Sequence, residues 1–325
     1  MTVRSYAETT AVTGIGVRVS HEPSTARSRW RLLRASAITP CTLCVLAVLV
    51  TLSCASEQWV LTGPTVPSTV LLAAGDIGQC GALGAAQTGE MLNDLPGTIL
   101  AVGDLAYPHG SADDFAACYD PVWGKHKPRT KPAPGNHEYE TAGAQAYFDY
   151  WSDAAGPPAL GYYSFKAGDW FVLSLNSNIP VGAGTTQGQW IRSELMANTA
   201  RCTLAYFHHP LFSSGPNGDN ARLTELWQLL YEQGVDVIIS AHEHLYERYA
   251  PMTPDGQRND ATGIRQFVVG TGGAGLYSIQ RLHPMSEAQR ISHGLLKLTL
   301  TAQGYQWDFL QVNGAVGDSG ADVCH

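Results

Sequence analysis

Two segments of the sequence share one pattern: Val70-Leu-Leu-Ala-Ala-Gly75-Asp76 and Thr98-Ile-Leu-Ala-Val-Gly103-Asp104. Each is a short apolar run that ends at a glycine followed by an aspartate. Continuous apolar runs of this length are typical of strands that are buried on both faces of a sheet. The pattern therefore predicts two interior strands whose carboxyl ends each present a carboxylate.

Two later apolar runs also end at polar residues, in these cases histidines. The run 202–207 is followed by His208, and the run 235–240 is followed closely by His242. In α/β folds, ligands bind where strands end and loops begin, because the sheet holds residues there rigidly. We expect these four strand ends to meet at one functional site.

Amphipathic segments alternate with these strands. Helices are predicted at residues 83–93, 115–119, 144–151, 187–197 and 221–232. A hairpin is predicted at 161–165 with 170–175, and late strands at 267–269, 295–301 and 305–312. This mixed order predicts an α/β fold in which two packed mixed β-sheets are flanked by helices.

Composition and charge narrow the class of protein. The chain has 325 residues, of which 44% are hydrophobic and 15% charged, which suits a loop-rich globular protein. Its net charge is −8, but residues 1–54 carry +4, so the remainder carries −12. Because an acidic body repels polyanions, nucleic acid is not expected as a partner. A phosphate site in such a body needs local positive charge, which metal ions supply.

The first 54 residues have the pattern of an export segment. A basic stretch, residues 27–34, precedes a charge-free run at 35–53. We predict a signal peptide or a membrane or lipid anchor at residues 1–54, a linker at 55–67 and one folded domain at 68–325. Lipid attachment at Cys54, ordinary cleavage nearby and an uncleaved anchor are the alternatives. We expect an exported protein, secreted or in the cell envelope, with a membrane tether through this segment as one option.

Four cysteines lie in the predicted domain: Cys80, Cys118, Cys202 and Cys324. In an exported protein, an even number of cysteines permits two disulfides. Three pairings are possible, and the sequence does not choose among them.

Five short motifs carry the chemistry: Gly75-Asp76, Gly103-Asp104-Leu-Ala-Tyr107, Gly135-Asn136-His137-Glu138, His208-His209-Pro210 and Ala241-His242-Glu243-His244. Two metal ions about 3.5–4 Å apart repel each other, and a carboxylate between them reduces that repulsion. We predict six ligands, with Asp104 as the bridge: Asp76, Asp104, Asn136, His208, His242 and His244. Imidazole and carboxylate ligands suit Fe, Zn and Mn. Glu138 either holds a ligand by hydrogen bonding or caps a turn.

Together these motifs resemble those of the calcineurin-like metallophosphoesterases, and within them the purple acid phosphatase branch, over about residues 69–312. Gly103-Asp104-x-x-Tyr107 is similar to the branch motif in which a tyrosine phenolate binds Fe(III). The resemblance implies a four-layer αββα sandwich. It also implies two ligand sets: Asp76, Asp104, Tyr107 and His244 for one ion, and Asp104, Asn136, His208 and His242 for the other.

The same resemblance implies an activity. It points to a phosphomonoesterase that uses two metal ions, Fe(III) with Fe, Zn or Mn(II), and in-line attack by metal-bound hydroxide on a small-molecule phosphate ester. His137 would contact phosphate and assist the leaving group. A departure from the family pattern is His209, which could add a phosphate contact or a proton donor. A phosphodiesterase or nucleotidase at the same site, and a non-catalytic exported binding protein, are the alternatives.

Overall fold

The computed structural model describes residues 68–325. The predicted export segment and linker lie outside the described residues and stay predictions. Among the helices between residues 68 and 325, none combines the length and apolar character that crossing a membrane requires.

Residues 68–325 form thirteen strands. Their bounds are β1 (Thr69–Ala74), β2 (Thr98–Val102), β3 (Thr130–Ala133), β4 (Tyr163–Ala167), β5 (Trp170–Ser174), β6 (Cys202–Tyr206), β7 (Val237–Ser240), β8 (Tyr246–Tyr249), β9 (Arg265–Val269), β10 (Ser286–Arg290), β11 (Gly294–Thr301), β12 (Gly304–Gln311) and β13 (Val316–Val323).

Six α-helices lie in the same part of the chain: α1 (Gly84–Asp94), α2 (Ala112–Asp114), α3 (Asp120–Trp123), α4 (Gln145–Trp151), α5 (Thr186–Ala197) and α6 (Thr224–Glu232). A π-helical segment, Phe115–Tyr119, joins α2 to α3. All of the predicted helices and strands are present, with ends that differ by a few residues.

The strands form two mixed sheets. The first has the order β13-β12-β11-β1-β2-β3, and the second has the order β10-β8-β9-β7-β6-β5-β4. Strands β1, β2 and β3 run parallel in the first sheet, and β5, β6, β7 and β9 run parallel in the second. The predicted fold class, two packed mixed sheets flanked by helices, is confirmed.

Strand β1 shows why the interior strands lack polar alternation. Leu71 and Ala73 belong to the apolar core between the two sheets. Leu72 and Ala74 point the other way, because side chains alternate along a strand, and they pack with Leu92 of α1. A third core covers the outer face of the second sheet beneath α5 and α6. Helix, sheet, sheet and helix therefore form four layers, and both faces of β1 are buried.

Four strands were not predicted: β3, β8, β10 and β13. Three of these, β3, β10 and β13, are edge strands of their sheets. Edge strands accept charged residues and proline, which weakens the apolar signal in their sequences. In β3, Lys131 and Pro132 interrupt the pattern, so the strand that precedes Asn136 was missed.

The structure selects one of the three cysteine pairings. Disulfides join Cys80 to Cys118 and Cys202 to Cys324. The second closes a separation of 122 residues and fastens the C-terminal end of the chain to the start of β6.

We expect the Cys202–Cys324 disulfide to contribute more stability than the Cys80–Cys118 disulfide. A cross-link that closes a longer loop removes more entropy from the unfolded chain, and separations of 122 and 38 residues differ by about 1 kcal/mol in that relation. Replacing Cys202 and Cys324 by alanine should lower the free energy of unfolding by about 2–5 kcal/mol. Urea unfolding of the metal-free protein measures both double variants, and a larger loss from the Cys80–Cys118 variant contradicts this expectation.

Candidate metal centre

Five of the predicted ligands follow the carboxyl ends of parallel strands. Each of the five follows a different strand: Asp76 follows β1, Asp104 follows β2, Asn136 follows β3, His208 follows β6 and His242 follows β7. The carboxyl ends of parallel strands lie at the same edge of a sheet, so each sheet presents its ligands on one side. The structure brings these residues together with Tyr107 and His244.

One group of donor atoms surrounds the hydroxyl of Tyr107. The Tyr107 Oη lies 2.7 Å from Asp76 Oδ1, 3.2 Å from Asp104 Oδ2 and 3.2 Å from His244 Nε2. Asp76 Oδ1 and His244 Nε2 are also 3.2 Å apart. These four side chains could hold one metal ion.

A second group surrounds Nε2 of His208. This nitrogen lies 3.1 Å from Asp104 Oδ2, 3.1 Å from Asn136 Oδ1 and 3.2 Å from His242 Nδ1. Asp104 Oδ2 thus belongs to both groups. The arrangement places one carboxylate oxygen between two sets of donors.

The chemistry of the donors fits metal ions. Carboxylate, phenol, amide and imidazole groups converge, and no thiol is among them, which suits Fe, Zn or Mn. Asp76, Asp104 and His208 are at most 1% exposed. Buried charged groups need compensation from opposite charge. Donor atoms of these three residues lie within 4.8 Å of one another, and so do those of His208, His209 and His242.

Three of the candidate ligands have a left-handed backbone conformation. Their φ angles are 57° for Asp76, 50° for Asp104 and 68° for His242. Residues with a side chain adopt this region rarely, and the strain typically costs about 1–3 kcal/mol. In each case the turn directs the side chain from a strand end into the donor cluster. Of the six non-glycine residues with positive φ between residues 68 and 325, three are therefore candidate ligands.

Two glycines allow the strand ends to approach each other. A Cβ atom on Gly135 would lie 2.1 Å from Asp104 Oδ1, and one on Gly103 would lie 2.6 Å from His208 Nδ1. Gly103 also has a φ of 79°. Larger residues at these positions would displace the donor atoms.

Glu138 holds the backbone that carries two of the candidate ligands. Its carboxylate accepts hydrogen bonds from the backbone N–H groups of Asp104 (3.0 Å), Leu105 (2.8 Å), Ala106 (3.3 Å) and Gly135 (2.7 Å). The side chain is fully buried. Of the two interpretations of Glu138 from sequence, the structure favours the one in which it positions ligands.

Further hydrogen bonds orient the imidazoles. Val102 O lies 3.0 Å from His208 Nδ1, and Gly275 O lies 2.6 Å from His244 Nδ1. Each carbonyl oxygen accepts from the ring N–H and leaves Nε2 free to face the donor cluster. The ring of His244 also stacks on Tyr277, with centroids 4.0 Å apart.

The pKa values of the side chains in the donor cluster depend on burial and on the charges of their neighbours. Burial would raise the pKa of Asp104, but the charge of His208 lowers it below its usual range. Burial would lower the pKa of His208, but Asp104 raises it to about 9. Burial, together with the charges of Asp76 and Asp104, raises the pKa of Tyr107 far above its usual value. Next to these two carboxylates, the phenol keeps its proton unless a cation lies beside it.

The predicted catalytic residue His137 lies at the edge of the donor cluster. Its Nε2 is 3.8 Å from Asp104 Oδ2, and its side chain is 27% exposed. Its ring packs on Tyr107, with centroids 4.4 Å apart. On the other side of the ring, Nδ1 contacts Pro108 O and lies 3.4 Å from Glu140 Oε1. His137 is therefore placed to reach a bound molecule through Nε2.

The other predicted catalytic residue, His209, is buried beside His242, with ring centroids 4.5 Å apart. Ser177 Oγ accepts from the backbone N–H of His209 and lies 2.8 Å from its Nδ1. In the tautomer with the proton on Nε2, the Ser177 hydroxyl donates to Nδ1. Burial, followed by the charges of His208 and His242, lowers the pKa of His209 to about 2. A neutral His209 can donate through Nε2, which fits a phosphate contact better than a proton donor.

Sequence reasoning missed Ser177 and Tyr277, which support His209 and His244. Ser177 lies three residues after β5, and the end of a parallel strand next to β6 is a signal that could have identified it. Tyr277 lies in a loop without a recognisable pattern, so its contact with His244 becomes visible only in three dimensions.

Comparisons with known proteins agree with the resemblance. The sequence model described as calcineurin-like phosphoesterase matches residues 69–246, just over half of the chain. Purple acid phosphatase 15 of Arabidopsis thaliana is 25% identical over 221 residues, which cover 57% of this chain and 41% of that protein. The chain spans about half the length, or less, of the curated relatives that it matches.

Solved structures share the fold. Purple acid phosphatase PPD1 from yellow lupin (Lupinus luteus) seeds has a TM-score of 0.67 at 20% identity, covering 79% of this chain and 54% of that chain. GAP50, the anchor in the inner membrane complex of Plasmodium, has a TM-score of 0.62 at 16% identity, covering 79% and 89%. At these identities the similarity establishes architecture alone.

We expect Glu138→Gln to weaken metal retention and to destabilise the protein. The amide nitrogen cannot accept a hydrogen bond, and leaving one buried N–H group unsatisfied costs about 1–3 kcal/mol. Metal content after dialysis and the thermal midpoint measure both effects. Glu140→Gln is the matched control. This substitution makes the same chemical change two residues away, and Glu140 accepts none of these backbone hydrogen bonds. Equal stability and metal content in both variants would contradict the positioning role.

Proposed function

Because this chain belongs to the calcineurin-like phosphoesterase family, we propose that it is a phosphomonoesterase with two metal ions, of the purple acid phosphatase kind. The observation that carries the proposal is the position of Asp104. Its Oδ2 lies 3.2 Å from the Tyr107 hydroxyl in one donor group and 3.1 Å from His208 Nε2 in the other. A carboxylate shared in this way fits a pair of ions.

The two ions divide the ligands as the resemblance implies. Asp76, Asp104, Tyr107 and His244 would hold Fe(III), and Asp104, Asn136, His208 and His242 would hold Fe, Zn or Mn(II). When bound, the ions would offset charge on the phosphoryl oxygens and supply an activated water near neutral pH. Assigning Fe(III) to the first set is supported by the resemblance and by the position of the Tyr107 hydroxyl, 2.7 Å from Asp76 Oδ1.

His137 acts on the leaving group. Its Nδ1 faces two acceptors, Pro108 O and the Glu140 carboxylate, which orient the ring. As an imidazolium, with both ring nitrogens protonated, His137 can donate from Nε2 to the oxygen that departs from phosphorus. The partial exposure of the side chain gives a substrate access to it.

His209 binds the phosphate. Ser177 fixes its ring, and Nε2–H is the free donor. As a neutral donor it contributes a hydrogen bond to a phosphoryl oxygen. Its burial beside His242 keeps that donor in one orientation before substrate arrives.

The protein works outside the cytoplasm in this proposal. Two disulfides lie in the described residues, and disulfides persist mainly in oxidising compartments. The basic and apolar pattern of residues 27–53 is the second support. The cleaved, lipid-attached and uncleaved forms of the N-terminal segment remain open.

The full chain, supplied with Fe, Zn and Mn, should hydrolyse an aryl phosphomonoester faster than the matching diester. Asp104→Asn should lose nearly all of this activity, because an amide bridges two cations poorly. Turnover of both esters and metal content are measured on the same samples. Faster diester cleavage would overturn the substrate class, and normal turnover of Asp104→Asn with full metal content would refute the shared carboxylate.

His137→Asn should slow esters of poorly acidic alcohols more than esters of acidic phenols. An alkyl leaving group needs a proton from His137, whereas nitrophenolate departs without one. We expect a loss of about 10²–10⁴ in kcat for alkyl phosphates and a much smaller loss for 4-nitrophenyl phosphate. Equal losses for both substrates would assign His137 to phosphate binding instead.

A further inference from the structure

A cavity of about 410 Å³ lies against the metal centre on the side of Tyr107. Its apolar wall is formed by Tyr107, Pro108, Ala117 and the Cys80–Cys118 disulfide. Its volume is within the range of small-molecule sites, which are usually concave and mostly apolar. None of the functions described above uses this cavity.

The cavity shares one residue, Tyr107, with the candidate metal centre. The Tyr107 ring forms part of its wall, while the hydroxyl of the same ring lies 2.7 Å from Asp76 Oδ1. The ring is also 4.4 Å from that of His137, and Pro108 O contacts His137 Nδ1. The Tyr107 ring therefore separates the cavity from the metal donors, and two residues of the cavity wall, Tyr107 and Pro108, contact His137.

The wall of the cavity is held in place by the fold. The disulfide ties the loop after β1 to the π-helical segment. The backbone N–H of Tyr107 donates to Gly78 O at 2.9 Å, and Gln79 Oε1 accepts from Gly275 N at 2.9 Å. These covalent and hydrogen bonds fix the wall of the cavity.

Charge at the cavity disfavours anions. Asp113 and Asp114 both line it, and within residues 68–325 neither lysine nor arginine does. Asp114 is engaged by Ser111 and by the backbone of His109, whereas Asp113 is exposed. A ligand with a second negative group would meet repulsion here, and an apolar group would gain contact area.

We infer that this cavity binds the apolar, uncharged part of the leaving group. The preferred substrates are then phosphate monoesters of aryl or alkyl alcohols that carry no second anion. The inference rests on the proposed phosphomonoesterase function. Each methylene group buried in such a cavity strengthens binding about fourfold.

The test uses the full chain and a series of esters: phenyl, 4-methylphenyl, 4-ethylphenyl and 4-propylphenyl phosphate. The alkyl groups change the acidity of the phenol little, so differences in kcat/KM report contact with the cavity. Ala117→Phe fills the cavity. Ala116→Phe is the matched control, because Ala116 is an exposed neighbour on the same π-helical segment and does not line it.

In the wild-type protein and Ala116→Phe, kcat/KM should rise about threefold to fourfold per methylene. In Ala117→Phe the rise should disappear. 4-(Carboxymethyl)phenyl phosphate should be roughly tenfold or more poorer than the 4-ethylphenyl ester in the wild-type protein. A flat series in the wild-type protein, or an equal rise in both variants, overturns the inference and leaves the proposed function intact. Absence of turnover with every ester rejects the proposed function and the inference with it.

Discussion

The shared carboxylate of Asp104 is the contact on which the rest of the site depends. Its Oδ2 lies within hydrogen-bonding distance of donors from both groups, and the residue is 1% exposed. Asp76 lies nearby and is also buried, so two carboxylates share one small volume. Such a volume is stable only when positive charge is present, either on an imidazole or on bound cations.

The backbone is shaped to satisfy that requirement. Asp104 itself has a left-handed conformation, Gly135 leaves room for its side chain, and Glu138 collects the N–H groups of the turn. None of these features improves packing of the core. They place a carboxylate where opposing strand ends can reach it.

The donor cluster around Asp104 contains residues from both sheets. Asp76, Asp104 and Asn136 come from the first sheet, whereas His208 and His242 come from the second. Their relative position is fixed by the apolar core between the sheets, which includes Leu71 and Val172. Ions that bind residues from both sheets cross-link them, so metal binding should favour the folded state by mass action.

The sequence predicted the interior strands of this fold, with the exception of β8. Strands such as β1 bury both faces, and their apolar runs therefore stand out. Edge strand β3 contains Lys131 and Pro132 and carries no such signal, although Asn136 follows it. The candidate site showed the same limit. Its candidate ligands at strand ends were visible in the sequence. The stacking of Tyr277 on His244 was not, because Tyr277 lies in a loop that no local pattern specifies. The cysteine pairing was also visible only in the structure, because it depends on which distant segments of the chain meet.

The most direct test of this account is a crystal structure of the metal-loaded protein, with anomalous scattering recorded at the Fe, Zn and Mn edges. We predict two anomalous peaks about 3.5–4 Å apart. Both should lie about 2.0–2.2 Å from a carboxylate oxygen of Asp104, with the Tyr107 oxygen bound to one of them. A single peak, or a pair of which Asp104 contacts only one, would contradict the account.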